Sequence, residues 1–296
     1  MNAIDLSLLP APDVVQPLDF EATLAELKAQ FIAYLPELAD VIELESEPAH
    51  KLLQLFAYEK VNMQARINDS ARACMLAYAL GADLDNLCAL LGVQRLQLSA
   101  GDAGANPPIA PTWEDDARLR TRAQMALEGA TVAGSRDSYV FHALSASARV
   151  RDVAISSPAP GDVLVTVLST DAQGVADAEL LQTVHDYLSA EARRPLTDTV
   201  LLEPAELVEF QVHAVLHFYP GPSAATVVDA ALAKLAEYLQ GARLGYDITR
   251  SGLYAALHQS GVRQVELIAP TGDVIVGPRQ AAQCTAVQVL EGGRDV

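Results

Sequence analysis

The spacing of apolar residues changes along the chain, and this change constrains the fold more than any other feature. In the first third, apolar residues recur every three or four positions, which is the spacing of amphipathic helices. One run follows the N-cap residue Asp19 and continues to Pro36, and a longer one begins near Ser46 and ends at Gly81. The longer helix would extend roughly 45 Å, which is more than a compact core needs. We predict a helical N-terminal domain over residues 1–98.

The rest of the chain alternates helix-like and strand-like segments. The segment 99–111 is rich in glycine and proline and is predicted to be a linker. From Leu207 to Tyr219 apolar residues alternate with polar ones, which predicts a half-buried strand. We therefore predict the α+β class, with the helical domain followed by two small α+β domains at 112–204 and 205–296.

Charge and composition exclude several classes of partner. The chain has 20 Lys and Arg residues against 38 Asp and Glu residues, a formal net charge of −18. Binding to nucleic acid needs clustered cations, which this sequence lacks, so no nucleic-acid partner is expected. No apolar run approaches the roughly 18 residues of a membrane helix, so no membrane partner is expected. The three cysteines lack metal-ligand spacing and are predicted to be reduced thiols of a cytosolic protein.

The polar residues that could carry chemistry have simpler structural explanations. His213 and His217 are four positions apart, which on a strand is about 13 Å and too far to share a metal ion. Asp83, Asp85 and Asn86 resemble part of a calcium loop, but the central glycine and the final glutamate are missing. Asp83 is instead predicted to N-cap a short helix. We expect no catalytic residue, no cofactor and no metal.

Two alternatives of other classes stay open. One is a cytosolic enzyme whose carboxylate or histidine site is assembled from residues distant in sequence. The other is a homo-oligomeric scaffold. An enzyme is expected to have a polar pocket with convergent titratable groups, whereas an assembly subunit is expected to expose large apolar patches.

Several motifs occur in order along the first two thirds of the chain. They are Leu8–Val15, Leu18–Glu21, Leu44–Pro48, Arg66–Asn68, Gly81–Leu87 and Arg193–Asp198. In this order the sequence resembles the baseplate J proteins of contractile-tailed bacteriophages and of phage-tail-like bacteriocins.

The resemblance implies a structural subunit of the baseplate wedge, which surrounds the hub at the distal end of the tail. Its implied partners are other copies of itself, a second wedge protein and a small lysozyme-like-fold subunit that links to the sheath. Hub and tail-fibre components are further candidates. The wedges would assemble in the bacterial cytoplasm into a six-fold ring that couples receptor-triggered rearrangement to sheath contraction.

The long predicted helix is the first candidate interface. Its N-terminal half is expected to pack within the chain. Its later half, near Met63, Ile67 and Met75, is expected to contact another chain.

The motif Arg193–Asp198 is the second candidate. In one interpretation, Arg193 and Arg194 complement a helix C-terminus and Pro195 ends the helix. In the other, an arginine reaches an acidic surface of a partner. Structural roles in the family motifs are expected for Asp83, Asp85, Asn86, Pro195, Thr197 and Asp198.

Overall fold

The computed structural model describes residues 6–10, 12–131, 133–171, 174–221 and 223–294. This described part contains eight α-helices and eight strands, so the predicted α+β class is confirmed. The chain forms two compact units. The first comprises Met1–Arg95 and Asp115–Gln124, and the second comprises Leu96–Glu114 and Met125–Val296. The domain boundaries predicted at 98, 111 and 204 stay predictions.

The first unit is helical. Its elements are α1 (Phe20–Tyr34), α2 (Pro48–Ala73), α3 (Gly81–Ala89) and α4 (Asp116–Gln124). Oδ1 of Asp19 accepts a hydrogen bond from the Ala22 N–H at 2.9 Å, so Asp19 caps α1 as predicted. Helix α1 packs along α2, and α3 packs on α4.

Helix α2 is shorter than predicted. It ends at Ala73 rather than at Gly81, and its 26 residues extend about 39 Å. Arg120 of α4 donates from Nε to the Leu76 carbonyl at 2.7 Å and from Nη2 to the Ala79 carbonyl at 2.8 Å. The carbonyls that follow the end of α2 therefore have an arginine far along the chain as their donor.

The second unit begins with a hairpin. Strands β1 (Gln97–Ser99) and β2 (Thr112–Trp113) pair antiparallel. Between them, Asp102 and Ile109 exchange two backbone hydrogen bonds of 2.9 Å each. The segment predicted as a linker therefore lies inside a paired hairpin.

A three-stranded sheet follows. The sheet and its two helices comprise, in chain order, α5 (Arg136–Ala146), β3 (Val150–Ser156), β4 (Asp162–Ser169), α6 (Ala178–Leu188) and β5 (Thr199–Pro204). The strand order is β3-β4-β5, with β3 antiparallel and β5 parallel to the central β4. Helices α5 and α6 pack on each other and close the core. Its largest buried side chains include Tyr139, Leu180 and Leu188.

The C-terminal part contains a second three-stranded sheet. This sheet and its two helices comprise, in chain order, β6 (Glu206–Phe218), α7 (Ala224–Gln240), α8 (Arg250–Leu257), β7 (Val262–Ala269) and β8 (Gln280–Arg294). The strand order is β7-β6-β8, with β7 antiparallel and β8 parallel to β6. Alternate residues of β6 are buried under α7 and α8, which confirms the predicted half-buried strand.

Two adjacent residues of β3 connect the sheets of the second unit. Nη2 of Arg151 donates to the carbonyls of Gln240 and Ala242 at the end of α7, at 2.8 and 2.9 Å. Oδ2 of Asp152 accepts from the Leu244 N–H at 2.9 Å. Burial raises the pKa of Asp152, and the hydrogen bond from the Leu244 N–H opposes this increase.

Candidate functional site

One face of α2 carries four exposed large apolar side chains. Leu52, Phe56, Met63 and Ile67 are 56%, 61%, 65% and 47% exposed. Because a helix turns about 100° per residue, their spacing keeps all four within an arc of about 60°. We call these four residues the outer stripe. An exposed apolar surface of this kind is typical of a site that another protein covers.

The inward face of α2 carries small and polar residues instead. Its buried residues are His50, Ala57 and Asn68. The side-chain amide of Asn68 accepts from the Gln16 N–H at 3.1 Å and donates to the Gln16 carbonyl at 2.7 Å. Nδ1 of His50 lies 2.7 Å from the Ile42 carbonyl oxygen. On the buried face of α2, the polar side chains therefore have hydrogen-bond partners within the same chain.

The prediction that the N-terminal half of this apolar stripe packs within the chain is wrong. Leu52 and Phe56 are as exposed as the later residues, because the polar face of the helix turns inward. Met75 is half-buried and lies beyond the end of α2, outside the outer stripe. Contact with another chain stays a prediction for Met63, Ile67 and Met75.

The acidic motif beginning at Asp83 lies in α3, but Asp83 is not its N-cap. The helix begins two residues earlier, at Gly81, whose N–H donates to Oδ2 of Asp116 at 3.0 Å. This hydrogen bond, together with the Arg95 guanidinium, lowers the pKa of Asp116. A carboxylate from α4 therefore performs the role predicted for Asp83.

The other two residues of this motif have local partners. Oδ1 of Asp85 accepts from Nε of Arg95 at 2.8 Å, and Nη2 of Arg95 reaches Oδ1 of Asp116 at 2.6 Å. Nδ2 of Asn86 donates to the Ala82 carbonyl at 2.8 Å. The two contacts of Arg95 join α3 to α4, whereas the contact of Asn86 lies within α3.

The motif Arg193–Asp198 forms a turn that is stabilised by hydrogen bonds from the Arg194 side chain to backbone carbonyls. Nε of Arg194 donates to the Ser189 carbonyl at 3.1 Å, and Nη1 donates to the carbonyls of Asp198 at 2.7 Å and Pro195 at 3.3 Å. One guanidinium therefore joins the end of α6 to the start of β5.

Neighbouring side chains hold the same turn. The Arg193 guanidinium lies 3.5 Å above the Tyr187 ring, and its Nη1 donates to the Tyr187 carbonyl at 2.8 Å. Oδ2 of Asp198 accepts from the Tyr139 hydroxyl at 2.8 Å. Burial, followed by this hydrogen bond, raises the pKa of Tyr139.

Thr197 and Leu196 of this turn differ in their surroundings. Oγ1 of Thr197 lies 3.4 Å from Oδ1 of Asp198, within the local network. Leu196 is 86% exposed. The local contacts of Arg193 and Arg194 favour the structural interpretation, and their contact with a partner stays a prediction.

His213 and His217 both lie on β6, and Nε2 of His217 is 3.8 Å from Oε2 of Glu266. In the described ranges, no three His, Cys, Asp or Glu side chains come together as a metal site. No helix in that part of the chain is long and apolar enough to cross a membrane.

The sequence analysis did not predict the exposure of Leu52, Phe56 and Leu196. For α2 a signal was present, because His50 and Asn68 lie about 130° around the helix from the centre of the apolar stripe, and polar residues also need partners. For Leu196 no local signal distinguishes an exposed turn residue from a buried one.

Comparisons with known proteins agree with the motif order. Three segments match family profiles: the Baseplate J-like N-terminal domain at residues 45–102, the central domain at 131–204 and the C-terminal domain at 210–290. The chain is 44% identical to Baseplate protein J of Escherichia phage P2 over 301 residues, which cover 100% of both chains. The cryo-EM structure of the anti-feeding prophage baseplate aligns with 61% of this chain and 44% of that chain, at 15% identity and a TM-score of 0.42.

The profile matches and the full-length identity confirm the resemblance inferred from the motifs. This is a family of structural baseplate proteins, not a family of enzymes. The chain belongs to the baseplate J-like protein family.

Proposed function

We propose that the chain is a wedge subunit of a contractile-tail baseplate. It assembles through protein–protein contacts into a six-fold ring around the hub, and the ring couples receptor-triggered rearrangement to sheath contraction. The outer stripe carries this proposal, because four large apolar side chains stay exposed along about 22 Å of one helix.

The proposed partners are those implied by the family. They are other copies of the chain, a second wedge protein, a small lysozyme-like-fold subunit that links to the sheath, and hub and tail-fibre components. Assembly takes place in the bacterial cytoplasm. We propose no enzymatic activity, because the acidic motif at Asp83 and the arginines of the Arg193–Asp198 turn have structural partners.

Covering the outer stripe would contribute substantially to assembly. Full burial of a large apolar side chain stabilises by about 1.5–3 kcal/mol relative to full exposure. The side chains of the outer stripe are 47–65% exposed before contact, so each gains about 1 kcal/mol when it is covered. The four together contribute about 4 kcal/mol from this side of the interface.

A charge placed in the outer stripe tests the proposal. Phe56→Glu should reduce the yield of intact tails at least about ten-fold in cells where the variant is the only copy, because a buried carboxylate without a partner opposes assembly. The matched control is Tyr58→Glu. Tyr58 is an aromatic residue of α2 with 57% exposure, but it lies about 200° around the helix from Phe56.

The two variants are expected to differ in tail yield but not in folding. We expect normal tails with Tyr58→Glu and few with Phe56→Glu, while circular dichroism of both purified variants matches the parent chain. Wild-type yields with Phe56→Glu would refute the assembly role of the outer stripe.

The proposed six-fold ring is tested by a second measurement. In a cryo-EM map of the intact particle, we expect this chain in a six-fold collar around the hub, with the outer stripe covered by protein. A position elsewhere in the tail, or an outer stripe facing solvent, would contradict the proposal. Maps of extended and contracted particles then test the coupling, since the ring must differ between them.

A further inference from the structure

We infer that strand β8 binds an extended segment of a different protein along its free edge, so that the segment becomes a fourth strand of the sheet β7-β6-β8. The segment is expected to carry apolar side chains and a carboxylate. This site lies in the second unit, whereas the outer stripe lies in the first. The inference therefore goes beyond the proposed function and does not depend on it.

Strand β8 is paired on one side. It runs parallel to β6 from Gln280 to Arg294 and lies at the edge of the sheet. In the described part of the chain, no strand pairs with its other side. Because the backbone groups of a strand point alternately to its two sides, this free edge presents N–H and C=O groups that can pair with a further strand.

The run from Ala282 to Leu290 lacks the features that usually protect a free edge. It contains no charged residue, no proline and no glycine. Edge strands normally carry charges or proline, which keep them from pairing with other chains. Strand β7, at the opposite edge of the same sheet, has Arg263 and Glu266. The composition of β8 is therefore typical of an edge that another strand covers.

The second half of this run is both regular and exposed. A β-bulge at Thr285 interrupts the pairing with β6, and the register is then continuous from Ala286 to Glu291. Val287 and Leu290 are each 44% exposed. An uncharged strand with exposed apolar side chains and a free edge favours pairing with another chain.

A groove beside this edge can receive the side chains of a bound segment. It has a volume of about 370 Å³ and lies between α7 and β8. Helix α7 contributes Ala236, Leu239 and Gln240, and β8 contributes residues 282–287. Several of these side chains are small, which leaves room for larger apolar side chains. Backbone hydrogen bonds to the edge would supply affinity, and the groove would select alternate side chains.

The charge in the groove indicates an acidic residue in the segment. Arg151 is the charged residue among those that line it. Its hydrogen bonds to the end of α7 come from Nη2, and in the described ranges Nε and Nη1 have no protein acceptor. Asp152 is the nearby carboxylate, and Arg243 adds a second positive charge to this region. A carboxylate of the segment would therefore complement an excess of positive charge.

Burial lowers the pKa of Arg151, which agrees with a guanidinium that is only partly solvated. A second copy of the chain complements it less well. Two copies that each carry a net charge of −18 repel each other. The uncharged run 282–290 of a second copy also brings no carboxylate to Arg151. These charges favour a segment of a different protein.

A synthetic peptide tests whether the edge accepts a strand. The probe is a short fluorescent peptide that alternates valine and threonine and has glutamate at both ends, so that either direction brings a carboxylate to Arg151. We expect saturable binding to the full-length chain, measured by fluorescence anisotropy. Replacing both glutamates by glutamine should weaken binding roughly three- to ten-fold. Absence of binding up to about 1 mM would overturn the inference, and equal affinity of the two peptides would refute the role of Arg151.

Backbone methylation distinguishes strand pairing from contact through side chains alone. Two versions of the peptide carry N-methyl groups on alternate residues, on one edge or on the other. Only one edge of the peptide can face β8, so one version should bind at least about ten-fold more weakly than the other. Equal binding of both versions would contradict a fourth strand.

A substitution in α7 tests the position of the peptide. Ala236 is exposed and lines the groove, so Ala236→Trp should fill it and weaken binding at least about ten-fold. The matched control is Ala233→Trp, at an exposed position of the same helix that does not line the groove. Both variants should keep the Tm of the parent chain. Unchanged binding to a folded Ala236→Trp variant would place the peptide elsewhere and refute the site.

The intact particle identifies the natural occupant. In a cryo-EM map we expect an extended strand of another protein beside β8, with a carboxylate oxygen within hydrogen-bond distance of the Arg151 guanidinium. An edge that faces solvent, that a helix covers or that pairs with β8 of a second copy would overturn the inference. Failure of the proposed function is distinguishable, because Phe56→Glu changes tail yield without changing the affinity for the peptide.

Discussion

Replacing Arg194 by alanine should destabilise the second unit by about 2 kcal/mol. The side chain makes two well-placed hydrogen bonds, to the carbonyls of Ser189 at 3.1 Å and Asp198 at 2.7 Å. Its third, to Pro195 at 3.3 Å, is long and contributes little. A hydrogen bond from a charged donor contributes about 1.5–3 kcal/mol. Because Arg194 is half-buried and water replaces part of each bond, about 1 kcal/mol per bond remains.

Thermal unfolding of the full-length chain, followed by circular dichroism, measures this loss. For a unit of this size, about 2 kcal/mol corresponds to a decrease in Tm of roughly 4–8 °C. Leu196→Ala is the control in the same turn. Because Leu196 is 86% exposed, its replacement should change the free energy of unfolding by less than about 0.5 kcal/mol.

The same pair of variants decides between the two interpretations of the arginines. If Arg194→Ala lowers Tm as expected, the hydrogen bonds within the turn explain the residue. An unchanged Tm would refute this reasoning, and an unchanged Tm combined with a loss of tails would indicate contact between Arg194 and a partner.

Three further predictions concern the second unit. Gly129→Ala should cost about 1–3 kcal/mol in unfolding free energy, because a Cβ there would lie 2.1 Å from the Phe141 ring. Burial, followed by the charge of Arg193, lowers the pKa of His142, so its contribution to stability is complete above the unfolded-state pKa near 6.5 and is lost as pH falls below it. The decrease in stability between pH 7.5 and 5.5 should therefore be smaller in His142→Gln than in the parent chain. Arg151→Ala should lower the free energy of unfolding by about 2 kcal/mol, because two carbonyls at the end of α7 lose their donor.

Each of these predictions has a clear contrary result. Gly272→Ala is the control for the glycine substitution, since no atom lies within 4 Å of a Cβ at that position, and equal effects of the two would contradict the steric argument. Identical pH dependence in the parent chain and in His142→Gln would exclude His142 as the source of acid sensitivity. A cooperative transition unchanged by Arg151→Ala would show that the connection between the two sheets does not depend on this side chain.

Apolar periodicity predicted the class of the fold but not the direction in which α2 faces. The spacing of Leu52, Phe56, Met63 and Ile67 correctly predicted a helix with one apolar face. Periodicity reports which residues avoid water, without stating whether the same chain or another protein covers them. The alternating pattern of β6 was simpler to interpret, because α7 and α8 of the same chain cover its apolar face.

Helix ends were predicted where their causes are local in sequence. Asp19 caps α1 from the adjacent position, so the signal lies within four residues. The first N–H of α3 instead donates to Asp116, and the carbonyls of Leu76 and Ala79 beyond α2 accept from Arg120. Both residues lie more than thirty residues further along the chain. No local pattern contains such information, and the predictions for Gly81 and Asp83 failed for that reason.

The position of α4 in the sequence affects how the chain is made. The helical unit takes its last helix from beyond the hairpin formed by β1 and β2, so it is discontinuous in the sequence. A ribosome adds about 5–20 residues per second, and α1 to α3 emerge before Asp116 and Arg120 exist. During that interval the carbonyls of Leu76 and Ala79 and the first N–H of α3 lack the partners that they have in the folded unit. An expressed fragment that stops at residue 98 would lack Asp116 and Arg120, and with them these hydrogen bonds. A fragment that continues through Gln124 contains every residue of the helical unit.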